Sequence, residues 1–277
     1  MARPDVRRRL IVNADDFGRS HSINQAVIRA HREGILTTAS LMVNEPGFEE
    51  GVALAKENPK LGVGLHLTLL CGRSALPRER IPGLVNERGE FTNNPLTAGL
   101  NYFFRTSLCA QLEAEIGAQF ERFHATGLKP DHVNGHLHIH LHPAVFLILR
   151  KRAREWGITH FRLTHDPLWL NAKIAAGEWA YRISHAMIYR SLCTYSKVIG
   201  GMRDLKHTAH VFGLLQNARV NEHYVTRLLP LLPAGDSELY SHPSLDEFKH
   251  EFEALISPAV KQLVRDQNIE LIRYQDL

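Results

Sequence analysis

Strand-like and helix-like stretches alternate along almost the whole of this chain. No other feature of the sequence restricts its fold as much. Short apolar runs at 10–12, 36–43, 61–67, 133–137, 160–163, 209–215, 237–241 and 269–274 read as eight strands. Between them, Ile23, Ala26, Val27 and Ala30 recur at helical spacing, and Gly34 stops that helix. Further helices are predicted over 48–56, 108–123, 144–156, 170–199, 220–232 and 245–265. Alternation of this kind implies a parallel sheet. Eight strands in 277 residues favour an α/β fold of the irregular (β/α) barrel type, TIM-like. No linker or internal repeat interrupts the pattern, so residues 1–277 read as a single domain. Gly62 and Gly64 inside the third strand mark places where another group comes close to the backbone. Residues 71–106 read as a long loop, a wall or lid for a site.

Composition narrows the function classes. Hydrophobic residues make up 44% and charged residues 22%, an ordinary globular balance. The net charge of +4 is mild, and the basic triplets Arg7-Arg8-Arg9 and Arg150-Lys151-Arg152 carry no interleaved aromatics. A nucleic-acid partner is therefore not expected. Cys71, Cys109 and Cys193 are far apart, with no CxxC spacing, which suits a reducing compartment and no thiolate zinc site. The N-terminal residues 1–5 lead into arginines rather than an apolar segment, and no run is long enough to span a membrane. A cytoplasmic location is the expectation.

The polar residues gather at predicted strand ends. The densest group is His136-Leu137-His138-Ile139-His140-Leu141-His142. On a strand, alternate side chains share a face about 6–7 Å apart. Neighbouring imidazoles can then share one ion, and the outermost pair, roughly 20 Å apart, cannot. The run supplies one or two metal ligands; the alternative reading is a solvated polar strand end. Asp15 and Asp16 end the first strand, His66 lies near the end of the third, Arg162 ends the fifth and His242 a late one. In parallel sheets and barrels, reactive groups collect at the carboxyl ends of strands. Two histidines and a carboxylate form a common ligand set with open positions, and a second carboxylate beside them can take a proton from water. Blander readings exist for each: a helix-start acidic pair for Asp15-Asp16, a core histidine for His66, a turn before Pro243 for His242. Asp15 and Asp16 reach one site only if the chain bends, which Gly18 allows.

Asn13-Ala14-Asp15-Asp16-Phe17-Gly18, Gly64-Leu65-His66-Leu67, His136-x-His138-x-His140 and His242-Pro243, in this order, resemble the YdjC-type carbohydrate deacetylases. The form of residues 133–140 looks like the branch associated with hopanoid biosynthesis, HpnK. The resemblance implies a distorted barrel and one divalent metal ion, magnesium or zinc, on Asp16, His66 and His136. It implies Asp15 as general base, His242 as acid for the leaving amine, and Arg162, with His138, as substrate contacts. The substrate implied is an N-acetylated sugar or glycolipid, such as an N-acetylglucosaminyl hopanoid. Peripheral membrane contact through that lipid and a homodimer go with it. The chain departs from many relatives at Asn134-Gly135, where they carry Asp-Ser. Two other readings stand beside this one: a different metal hydrolase such as a phosphoesterase, and a metal-binding protein without catalysis.

Overall fold

The computed structural model describes residues 7–199 and 201–277. The N-terminal residues 1–5, read above as leading into arginines rather than an apolar segment, lie outside the described residues. In chain order the elements are β1 (Arg8–Phe17), α1 (His21–Glu33), β2 (Thr38–Leu41), α2 (Phe48–Glu57), β3 (Gly62–Leu67), α3 (Pro95–Phe104), α4 (Cys109–Ala125), β4 (Val133–Gly135) and α5 (Pro143–Arg152). Then come α6 (Leu168–Ile174), α7 (Trp179–Val198), β5 (His210–Phe212), α8 (Glu222–Leu228), β6 (Gly235–Ser241), α9 (Lys249–Ile256), α10 (Pro258–Asp266) and β7 (Ile269–Ile272).

One parallel sheet runs in the order β4-β3-β2-β1-β6-β5. Its centre is β1, buried from Leu10 to Phe17, as expected of a strand covered on both faces. One edge of β1 pairs with β6 from Arg8 to Ala14. The other edge is shared: β7 lies beside Arg8 to Ile11, and β2 beside Asn13 to Phe17. That sharing keeps β7 off the main path of the sheet. The second strand is confined to Thr38–Leu41, which leaves the first half of β1 open for β7. The predicted 160–163 strand is reduced to two bridges, Val133 to Phe161 and His160 to Lys206, before the chain turns at His165. These bridges, with the Val211 amide donating to the His165 carbonyl oxygen, lie between β4 and β5. The outcome is a curled half-barrel, not a complete TIM-like ring.

The helices cover the sheet for ordinary reasons. Ser20 caps α1, its side chain accepting from the Ile23 amide, and Ala26, Val27 and Ala30 turn inward. Full burial of one large aliphatic side chain contributes about 1.5–3 kcal/mol, and the core holds many of them. The predicted 245–265 helix is two, because Ser257 caps a new helix with Pro258 at its first position. The 170–199 helix likewise breaks at Gly177, which adopts φ 85°. Inside the expected loop 71–106, Asn94 caps α3 and Pro95 opens it. Gly64 meets the expectation of a close approach: a Cβ there would lie 2.4 Å from the His132 carbonyl oxygen. No helix among the described residues is long and apolar enough to cross a membrane.

Candidate active site

The two aspartates reach one rim because β1 is irregular at its end. Its register with β2 slips between Ala14 and Phe17, and Asp16 adopts φ 63°. The bend falls at Asp16 itself, ahead of Gly18. A side-chain-bearing residue there costs on the order of 1–3 kcal/mol. Asp16 Oδ1 lies 2.9 Å from His136 Nδ1 and 3.3 Å from His66 Nε2, and Arg19 donates to Oδ2 at 2.8 Å.

His66, on β3, pairs in register with Asn134 on β4. Asn134 Oδ1 can only accept, so the 2.7 Å contact places the proton of His66 on Nδ1. The Nε2 lone pair is then free to face Asp16. The Asn134 amide in turn donates to Ser40 and to Asp15. Asn134 therefore orients His66, and His136 is oriented toward Asp16 directly. Asp16, His66 and His136 each offer one ligand atom, all within 4.8 Å of one another, and the three are buried. Atoms sharing a cation at about 2.0–2.1 Å stand roughly 3.0–3.4 Å apart, so the spacings to Asp16 fit a metal.

The other histidines of the run part company. The strand ends at Gly135, and Leu137 and His138 take left-handed backbone angles, φ 48° and 57°. Successive imidazoles thus do not share one face. His138 Nε2 lies 2.9 Å from the Tyr240 hydroxyl, His140 Nε2 donates to the Arg162 carbonyl oxygen, and His142 Nε2 donates to that of Gly99. Burial, and next the Arg162 cation, hold His138 well below the usual histidine value, so it is neutral. His140 is pushed down to about 3, mainly by burial.

Arg162 is not where a substrate contact was expected. It is fully buried and binds Asp15 through two hydrogen bonds, of 2.7 and 2.9 Å, and Glu238 through two more, of 2.9 and 2.7 Å. It stands beneath the cleft and presents no face to a ligand. Burial by itself raises the Asp15 carboxyl, but Arg162, His66 and His242 outweigh it and hold Asp15 well below the usual carboxylate range. Asp15 Oδ1 accepts from Asn13, Asn134 and Arg162, whereas Oδ2 accepts only from Arg162. The remaining acceptor capacity is therefore on Oδ2.

His242 follows β6 at the same rim. Burial alone lowers its value, but Glu251 on α9, with Asp16 and Asp15, raises it to about 9. It carries a proton at neutral pH. Glu251 Oε2 stands 3.7 Å from His242 Nδ1 and also accepts the His242 backbone amide, while Oε1 accepts that of Val220. Asp15, His66, His138 and His242 open together onto a cavity of about 210 Å³, walled also by Pro95, Leu137, Tyr181, His185, Tyr189 and Tyr240.

Sequence reasoning missed Glu238, Tyr240 and Glu251. A signal existed for each. Glu238 and Tyr240 alternate along one strand that leads into His242, and Glu251 occupies a core-facing position of α9 four residues before Leu255.

The chain matches the YdjC-like protein family over residues 9–266 and belongs to it. It is 31% identical over 283 residues to carbohydrate deacetylase 2 of Listeria innocua, covering 97% of this chain and 98% of that one. A carbohydrate deacetylase of Brevibacillus brevis is 44% identical over 150 residues, 54% of this chain; the match spans only 57% of that protein's length. The crystal structure of an Enterococcus faecalis V583 protein, described as a candidate cellobiose-phosphate cleavage protein, superposes with a TM-score of 0.73 at 23% identity. It covers 98% of each chain and shares the fold.

Proposed function

From membership of the YdjC-like family and the geometry of the cleft, we infer that this protein is a metal-dependent hydrolase that removes the acetyl group from an N-acetylated amino sugar. The observation that carries the reading is a three-ligand cluster whose His66 lines the same small cavity as the ionised Asp15 and the protonated His242. Relatives named as carbohydrate deacetylases support the substrate class.

The residues divide the work as follows. Asp16, His66 and His136 would hold one divalent cation, zinc or magnesium. When bound, such an ion supplies Lewis acidity to the acyl oxygen and acidifies water. Asp15 takes the proton of the attacking water on Oδ2, the oxygen with a free lone pair. Held low by Arg162, Asp15 is a weak base and accepts only from an acidified donor. His242, kept protonated by Glu251, gives its proton to the departing nitrogen. Acetate and the free amine leave.

The finer reading places residues 1–277, as a single deacetylase domain, in the hopanoid-associated branch. Its substrate is then an N-acetylglucosaminyl hopanoid, its location cytoplasmic, its state a homodimer, and its contact with membrane peripheral, through the lipid. Exposed Leu96, Leu100, Phe103 and Phe104 support a lipid-linked substrate, because they lie on α3, whose Pro95 lines the cavity. The test is acetate release from N,N′-diacetylchitobiose and from an N-acetylglucosaminyl lipid, with and without chelator, after loading with zinc or magnesium. Release that a chelator stops supports the reading. Absence of release with every metal and both substrates rejects it.

A further inference from the structure

The phenol of Tyr240 has no part in the roles assigned so far. Glu238 and Tyr240 share one face of β6, and His242 follows directly after the strand ends at Ser241. Glu238 binds Arg162 at the base and His242 stands at the rim, with Tyr240 between them. The Tyr240 ring lies 4.5 Å from the guanidinium carbon of Arg162, the same cation that grips Asp15. Its centroid is 5.2 Å from that of His138 and 5.8 Å from that of His242. Gly213 clamps it from below: a Cβ there would come within 2.5 Å of the Tyr240 carbonyl oxygen and 3.0 Å of the ring.

The hydroxyl is oriented by two further groups. It lies 2.9 Å from His138 Nε2, and His138 Nδ1 lies 3.3 Å from Thr164 Oγ1. His138 reaches this position through two consecutive left-handed residues that are not glycine. Each costs on the order of 1–3 kcal/mol, strain that persists where a side chain must be aimed. Proton counting then limits the arrangement. An imidazole that accepts a hydrogen bond at one ring nitrogen bears its hydrogen on the other, and each hydroxyl has a single O–H. When Thr164 donates to Nδ1, Nε2–H donates to the phenol oxygen. The Tyr240 proton is then left to point into the cavity that Tyr240 lines beside Asp15 and His242.

We propose that Tyr240 is a catalytic residue whose hydroxyl donates a hydrogen bond to the acyl oxygen as the amide carbon becomes tetrahedral. This rests on the deacetylase reading. No covalent bond to Tyr240 forms and its proton is not transferred. The water oxygen bonds to carbon, and the C=O pair moves onto the oxygen that Tyr240 holds. The pair returns as the C–N bond breaks, the nitrogen taking its proton from His242. His138 and Thr164 are positioning residues for the phenol.

The test uses the metal-loaded full chain and N,N′-diacetylchitobiose. Tyr240→Phe is expected to lower kcat on the order of 10²-fold, the size seen when one oxyanion donor is removed. KM, bound metal and melting temperature stay near wild type. With the trifluoroacetyl analogue the deficit narrows, because that oxyanion is more stable and leans less on a donor. Thr164→Val also lowers kcat with KM unchanged. A wild-type kcat in Tyr240→Phe, or an equal deficit on both acyl groups, overturns the proposal. If Tyr240→Phe does not fold, unchanged kcat in both Thr164→Val and His138→Gln overturns it. A wild type that releases no acetate overturns the deacetylase reading as well, whereas a normal Tyr240→Phe overturns only this inference.

Discussion

Replacing Glu251 by Gln tests how His242 keeps its proton. The carboxylate faces the imidazole at 3.7 Å and is the largest influence raising His242 to about 9. The difference from the usual 6.5 corresponds to roughly 3 kcal/mol favouring the charged ring. If the ring must donate a proton, activity falls as pH rises through its value. At pH 8 a group with a value near 9 is about nine-tenths protonated, and one near 6.5 about 3% protonated. Glu251→Gln is therefore expected to lose up to about 30-fold in kcat/KM at pH 8 and less than about twofold at pH 6. A bound cation draws the basic limb down in both proteins and leaves the difference between them. The assay is acetate release across pH 5.5 to 9.5 in constant ionic strength, about the range the two values span. The amides of His242 and Val220 lose a charged acceptor, a cost of about 1–3 kcal/mol, so melting curves accompany the kinetics. Stability follows the same sign. The contribution of His242 is complete below its unfolded value and is lost as pH rises through about 9. Superimposable pH profiles for the two proteins would refute the role of Glu251 and, with it, His242 as the acid.

Other outcomes follow from the same geometry. His136→Ala and His66→Ala should each abolish stoichiometric zinc uptake by calorimetry, and Asn134→Ala should weaken it about 10–100-fold; undiminished uptake refutes the cluster. Arg162→Met leaves Asp15 and Glu238 buried without their cation and should cost about 3–5 kcal/mol in urea unfolding; a loss below 1 kcal/mol on that scale shows the triad is dispensable. Gly64→Ala drives a methyl against the His132 carbonyl and should destabilise by about 1–3 kcal/mol, read from the same unfolding curves; an unchanged midpoint refutes the close approach.

Much of the arrangement was legible in the residues. Apolar runs broken by Gly and Pro located the strands, because burial on both faces of a parallel sheet demands continuous hydrophobic stretches. Asp15, Asp16, His66, His136 and His242 stood at strand ends, and the structure brings them to one rim. The order of the ADDFG segment and the histidine run pointed to the family that the chain is now seen to belong to.

Tertiary structure decided the rest, where long-range contacts overrule local pattern. A period-two reading of the histidine run assumed an extended backbone, and the turn at Leu137-His138 sends each imidazole to a different partner. Arg162 was a substrate contact only by the family resemblance. Only the packed sheet reveals Asp15 and Glu238 on either side of it, 147 and 76 residues away in sequence. Strand count alone could not say whether the sheet closes. That depended on residues 160–163 forming only bridges between β4 and β5, a choice made by hydrogen bonds between segments remote in the chain.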